Sequence, residues 1–269
     1  MGVAGGTIVV TGATSGIGLE TARRLADTAG RLVVQGHEPE ASVQEDLEEI
    51  AVGSADVVYV SCDYTELEDV AAGARAIADA ADGGIDAVIN NAGVPGSPTR
   101  LTTPDGHERT LQVNFLAMVL LTELLRPALS PGAMVVNLAS STHEMTSLDL
   151  ADFELEHDYS AVRAYARSKL AIIMYTRWLA RARDAGFTAV SLSPGVINTD
   201  LLHAMFGLIG GSLGRGARNV IAALTTDAAG GEYFDDGRLA DPSAEARDDA
   251  LGDRLMAWTF AALGAHLPR

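Results

Sequence analysis

The run TIVVT at residues 7–11 leads directly into GATSGIG at residues 12–18. Few folds accept that order. Five consecutive apolar or β-branched residues read as a strand buried on both faces. Gly12 permits a tight turn, Gly16 lets a ligand approach the backbone, and Gly18 lets a helix pack closely on the strand. Free N–H groups at the start of the following helix, with the helix dipole behind them, bind pyrophosphate. A glycine motif alone is a weak signal. Placed after the first strand and before the first helix, it is stronger. The bland alternative is a plain glycine-rich turn.

The same alternation continues. LVVQ (32–35), VVYVS (57–61), DAVIN (86–90), AMVVNLAS (133–140) and FTAVSLS (187–193) are predicted strands. Helical patterns fall between them at about 17–29, 41–51, 66–81 and 160–185, and from the PDGH cap (104–107) to about Leu129. Buried strands separated by helices imply an α/β fold of the Rossmann type: a doubly wound parallel sheet with helices on both faces. The 269 residues contain no repeat and no low-complexity linker, so a single domain over 1–269 is expected.

The formal charge of -17 repels phosphate backbones and anionic lipid, which argues against nucleic acid and membrane surfaces as partners. Cys62 is the sole cysteine, so no intramolecular disulfide forms. Residues 1–6 lack the pattern of a signal peptide, and FLAMVLLTELL (115–125) is short for a membrane span and contains Glu123. A cytoplasmic location is the expectation. The bias toward arginine and alanine is of the kind that GC-rich bacterial genomes produce. Within that bias Lys169 is the only lysine, against eighteen arginines.

Further motifs follow in order: NNAG (90–93), Asn114, NLASS (137–141), Tyr165 and Lys169 as YxxxK, and SPGVINT (193–199). Together with TGATSGIG these resemble the short-chain dehydrogenase/reductase family over nearly the whole chain. The long stretch between Ser141 and Tyr165, with TPDGHE (103–108) and GGEYFDD (230–236), resembles its retinol-dehydrogenase-like branch. The expected strand begins at residue 7, where retinol enzymes often have an anchoring segment. The reaction type is therefore carried over, and retinol is not.

Tyr165 and Lys169 are four apart on a predicted helix and share one face. A cation beside the phenol stabilises phenolate, and a compact ammonium also reaches ribose hydroxyls. The resemblance implies that Tyr165 exchanges a proton with the substrate oxygen, that Ser141 polarises that oxygen, and that Asn114 holds a water on a proton route from Lys169. Ser140 is the less favoured serine, because adjacent strand residues point to opposite faces. Asn114 also reads as a helix-kink or capping residue.

The resemblance further implies a nicotinamide cofactor held by Gly12, Thr14, Ser15, Gly16, Ile17 and Gly18 at the turn. Asn91, Ala92 and Gly93 would line its middle, and Pro194, Gly195, Val196 and Thr199 its carboxamide end. Asp63 and Tyr64 would meet the adenine, although Asp63 reads equally as a helix N-cap. At the end of the second strand, Gly36 stands where NAD forms place an acid and His37 where NADP forms carry an arginine. The acid is missing, and so is strong positive charge; the balance favours NADP(H) over NAD(H), and His37 reads equally as a solvated loop residue.

The insert at about 142–160 carries Glu144, Asp149, Asp152, Glu154, Glu156 and Asp158. Without a ligand spacing it reads as a solvated lid or edge, and no metal site is expected. His143 reads as structural or substrate-facing. A loop at about 196–216, with Leu201, Leu202, Met205, Phe206, Leu208 and Ile209, covers a hydrophobic substrate or is a core-packing helix. The expected activity is oxidoreduction of a ketone or secondary alcohol on a bulky apolar metabolite. A redox-neutral epimerase, cyclase or dehydratase uses the same residues, and a cofactor-sensing protein is the third reading. Apolar faces on the helices at 106–129 and 160–185 suit a homodimer or homotetramer, or an intramolecular core.

Overall fold

In the computed structural model, which describes residues 4–181, 186–207 and 210–267, the unbroken apolar runs are strands buried on both faces. Ile8, Val9 and Val10 are fully buried. Ile8 and Val10 join one core, and Val9 joins the other. The strands are β1 (Thr7–Thr11), β2 (Arg31–Gly36), β3 (Asp56–Ser61), β4 (Ile85–Asn90), β5 (Leu129–Leu138), β6 (Phe187–Ser193), β7 (Tyr233–Asp235) and β8 (Arg238–Ala240). They form one sheet in the order β3-β2-β1-β4-β5-β6-β7-β8. All neighbours pair in parallel except β7 and β8. Strand order reverses between β1 and β4, where sheets of this kind open a crevice at the carboxyl ends.

The helices are α1 (Gly16–Leu25), α2 (Gln44–Ile50), α3 (Leu67–Ala81), α4 (Arg109–Leu111), α5 (Ala117–Leu125), α6 (Ala161–Arg181), α7 (Asp200–Phe206), α8 (Leu213–Leu224) and α9 (Asp249–Leu263). Residues of α1, α2 and α8 fill the core on one face. Residues of α3, α5, α6 and α9 fill the core on the other. The doubly wound parallel fold is therefore present, with an antiparallel edge strand added.

The differences from expectation have local causes. The helix expected from the PDGH cap starts at Arg109, because Thr102 and Glu108 pair in an antiparallel bridge across residues 103–107. Glu108 then caps α4 by accepting the N–H groups of Thr110 and Leu111. A π-helical turn (Gln112–Leu116) separates α4 from α5. The stretch Arg109–Ala128 is long and apolar enough to cross a membrane by length and composition, and 72% of it is buried in this fold as a core helix. The last four residues of the helix expected at 160–185 lie outside the described residues. α9 covers one flank of α6: Trp178 meets the Phe260 ring at 5.4 Å, and Arg177 pairs with Asp249 at 3.3 Å. That flank serves the intramolecular core.

Candidate active site

A cavity of about 710 Å³ opens at the carboxyl ends of the strands, over the point where their order reverses. Its floor is the glycine turn. Gly12 and Gly16 have φ of 62° and 57°, in the left-handed region that glycine tolerates. A β-carbon on Gly18 would lie 2.1 Å from Gly12 O, so only glycine lets α1 start this close to β1. Asn91 secures the turn: its side-chain amide donates to Thr11 O at 2.8 Å and Gly12 O at 3.0 Å. Thr14, Ser15, Gly16 and Ile17 line the cavity, while Gly18 lies behind the lining. The turn is thus a cradle that a β-carbon would fill, with the free N–H groups of a helix start facing it. That is the fit expected for a dinucleotide pyrophosphate.

One wall carries the proton-transfer groups. Tyr165 is 7% exposed and Lys169 3%, both on α6. The Lys169 ammonium lies 5.4 Å from the phenol ring centroid and donates to Leu138 O at 2.8 Å. Burial raises the Tyr165 phenol to about 12, and the Ser140 side chain beside it works in the opposite direction. Burial lowers Lys169 to about 8. The expected lowering of the phenol by Lys169 is absent here; the ammonium is turned to a backbone carbonyl and desolvation dominates.

The serine is corrected. Ser140, and not Ser141, faces the Tyr165 phenol. Ser140 prolongs β5 in extended backbone (φ -163°, ψ 151°), whereas Ser141 opens a 3-10 turn and is exposed. Adjacent residues do point to opposite sides, but the inward side belongs to the earlier serine.

Asn114 stands in the π turn, fully buried, behind the lining. Its Oδ1 accepts Val94 N–H at 2.7 Å, and its Nδ2 donates to Val94 O at 3.0 Å and Ser168 Oγ at 3.1 Å. It ties the π-helical turn to Val94, the residue that follows NNAG. A β-carbon on Gly93 would lie 3.2 Å from Asn114 Oδ1 and 3.6 Å from Lys169 Nζ, so this glycine leaves a gap between the two polar atoms.

At the other end His37, Asp63 and Tyr64 line the cavity with Ala92 and Gly93. Asp63 is not a helix cap; its Oδ1 accepts the N–H and the hydroxyl of Thr65, both at 2.8 Å. The His37 side chain is 72% exposed. The sequence reading missed Glu38, whose carboxylate accepts from Thr14 Oγ1 at 3.1 Å and from His37 N–H at 3.1 Å. Gly36 leaves the end of β2 without an acid, and Glu38 lines the cavity from two residues further on.

Pro194, Gly195, Val196 and Thr199 form the remaining wall. Thr199 caps α7 by accepting Leu202 N–H at 3.2 Å. Asn219 donates to Pro194 O at 3.0 Å and to Asp236 Oδ1 at 3.0 Å, tying this wall to α8 and the β7–β8 turn. Leu201, Leu202 and Phe206 of α7 line the cavity together with Met145 and Val196, and no α7 residue is fully buried. α7 is thus a cavity wall, not a core helix; Leu208 and Ile209 lie outside the described residues. The acidic insert divides. Glu144, Asp149, Glu156 and Asp158 are exposed. Glu154 instead accepts Glu108 N–H at 2.6 Å and meets His107 Nδ1 at 2.6 Å, which fastens the insert to the 103–108 segment.

A family model for short chain dehydrogenase matches residues 6–206. The chain is a short-chain dehydrogenase/reductase. It is an NAD(P)-dependent oxidoreductase of alcohol or carbonyl groups, in the retinol-dehydrogenase-like branch of that family. It is 37% identical over 286 residues to polyprenol dehydrogenase of Mus musculus, covering 97% of this chain and 84% of that protein. It is 31% identical over 268 residues to retinol dehydrogenase 11 of Homo sapiens, covering 93% and 83%. The fold matches the crystal structure of an uncharacterised protein from Mycobacterium paratuberculosis with a TM-score of 0.83, at 28% identity, covering 99% of this chain and 96% of that chain.

Proposed function

We propose that this enzyme interconverts a ketone and a secondary alcohol on a bulky apolar metabolite. The nicotinamide ring supplies or accepts the hydride when bound. Tyr165 gives its phenolic proton to the carbonyl oxygen in reduction and takes it back in oxidation. Ser140 donates a hydrogen bond to the same oxygen and stabilises the charge that develops there. Lys169 brings its ammonium to the same wall, 5.4 Å from the phenol ring centroid, and its single occurrence among eighteen arginines fits a site where a compact ammonium is required.

The observation that carries this reading is the convergence of Ser140, Tyr165 and Lys169 on one wall of a cavity whose floor is the glycine turn and whose lining is partly apolar. Leu201, Leu202, Phe206, Met145 and Val196 supply that apolar lining. Polyprenol and retinol, named in the relatives, are both isoprenoid alcohols, which supports an apolar substrate. With its phenol held well above neutrality, the free enzyme carries Tyr165 protonated, the state needed for carbonyl reduction.

For the cofactor, Glu38 supports NAD(H) rather than the NADP(H) favoured by sequence. A 2′-phosphate brings about -1.5 to -2 charges, and the β2 end offers it a carboxylate and an exposed imidazole. Arg109 and Lys169, the other cationic chains along the cavity, come from α4 and α6. The test is a panel of apolar ketones and secondary alcohols assayed with NADH and NADPH in parallel. Turnover linked to the nicotinamide absorbance band, faster with NADH, is expected. Product formed without an absorbance change would establish the redox-neutral reading instead.

A further inference from the structure

His143 belongs to none of the assigned roles, yet it is fully buried and both of its ring nitrogens are engaged. Nδ1 lies 2.8 Å from Ser140 O, and Nε2 accepts the backbone N–H of Ser243 at 3.1 Å. A backbone N–H only donates, so Nε2 carries the lone pair and the ring proton sits on Nδ1. Nδ1–H therefore donates to the Ser140 carbonyl. That carbonyl also accepts His143 N–H at 3.1 Å. An imidazolium would set a second N–H against that of Ser243, so the arrangement selects the neutral ring. The ring packs edge-to-face on Tyr233 of β7, with centroids 5.2 Å apart.

The groups around the imidazole explain why it does not act on substrate. His143 does not line the cavity. The neighbouring ionisable groups are the buried Tyr233 phenol, the exposed Glu144, and Glu245, which is committed to Leu148 N–H at 2.7 Å. None makes a hydrogen bond to the ring. The residue instead links two segments far apart in sequence. Residues 243–247 hold the insert at two points: Ser243 through His143, and Glu245 through Leu148.

We propose that His143 is a positioning residue: as a neutral Nδ1–H strut between Ser243 and the Ser140 carbonyl, it fixes the direction in which the Ser140 hydroxyl meets the Tyr165 phenol. Fixing a peptide at its carbonyl fixes the adjacent Cα–Cβ direction, and a misplacement of about 1 Å in a reacting group costs about 100-fold in rate. The proposal rests on the reading of Ser140 as the hydroxyl that polarises substrate.

The test compares His143→Asn, His143→Gln and His143→Leu, each alone and with Ser140→Ala. Asparagine places its amide donor near the position of Nδ1, whereas glutamine places it near Nε2. The expected result is a kcat loss of about 10- to 100-fold for His143→Leu and His143→Gln, with cofactor affinity by fluorescence titration within about twofold of wild type. His143→Asn should recover most of that kcat. The losses should not multiply, so that His143→Gln with Ser140→Ala is no slower than Ser140→Ala alone. Nitrogen NMR of the wild-type protein should show the Nδ1–H tautomer. Wild-type kcat in both His143→Gln and His143→Leu, multiplying losses, or an Nε2–H tautomer overturns the proposal while leaving the Ser140 reading intact. Full activity in Ser140→Ala overturns both. If His143→Leu does not fold, the Asn and Gln variants decide by themselves, since equal kcat in those two contradicts the strut.

Discussion

The two ends of the cavity are built on opposite principles. At the Tyr165 end the functional groups are buried, and desolvation sets their protonation: the phenol rises to about 12 and the ammonium falls to about 8. At the Glu38 end the groups are open to solvent, with His37 72% exposed and Glu38 30%. Charge complementarity, screened by water, is the main force available there. Chemistry needs the first arrangement, because hydrogen bonds and charges act more strongly where water is excluded. Recognition of a cofactor by its charge can use the second.

Substitutions at the two ends should therefore differ in kind as well as in size. Tyr165→Phe removes the proton donor and should lower kcat by about 10²- to 10⁴-fold. Ser140→Ala should cost about 10²- to 10³-fold, the range for losing one oxyanion donor, whereas Ser141→Ala should stay within about threefold of wild type. Steady-state kinetics of that pair break the account if the two serines exchange roles. Lys169→Arg should fold and lose most turnover, because a planar guanidinium does not fit the space of the ammonium. At the open end, Glu38→Gln should leave kcat unchanged and shift the NADPH-to-NADH ratio of kcat/KM by about tenfold, an effect of about 1.4 kcal/mol. An unchanged ratio would remove Glu38 from cofactor selection.

The smallest expected effect is on stability. Lys169 titrates near 8 in the folded chain against its ordinary 10.5. Between those values the unfolded chain holds a proton that the folded chain has released, so this residue makes stability rise with pH from about 8 to 10.5. Tyr165, raised from 10.0 to about 12, acts in reverse and makes stability fall over that higher window. Lys169→Met should accordingly raise the melting temperature of the cofactor-free protein at pH 7 by about a few degrees. The gain should shrink toward pH 10.5. A variant that melts lower than wild type at pH 7 would show that the hydrogen bond to Leu138 O outweighs desolvation.

What the sequence disclosed follows from how local each signal is. β1, the glycine turn and α1 are contiguous, and their periodicity and glycines suffice to read them. Tyr165 and Lys169 share a helix face by spacing alone. The choice between Ser140 and Ser141 depends on where β5 gives way to a turn, and a one-residue error there reverses the side chain. Glu38 escapes a sequence reading because the acid is expected at position 36, whereas the carboxylate returns from two residues further on to meet Thr14. β7 and β8 are three residues each, too short for an alternating pattern to show. Their contribution, with Asp236 and Asn219 tying down Pro194, is a contact between distant segments that no local pattern encodes.

The central claim is that Tyr165 and Ser140 support hydride transfer between nicotinamide and an apolar carbinol carbon. Its most direct test is a single-turnover reaction of the wild-type enzyme with an apolar secondary alcohol and the oxidised cofactor, measuring nicotinamide absorbance and ketone together. The account predicts one equivalent of reduced nicotinamide per equivalent of ketone, with both rates reduced in parallel in Ser140→Ala. Product without reduced nicotinamide, or a Ser140→Ala rate equal to that of wild type, would contradict it.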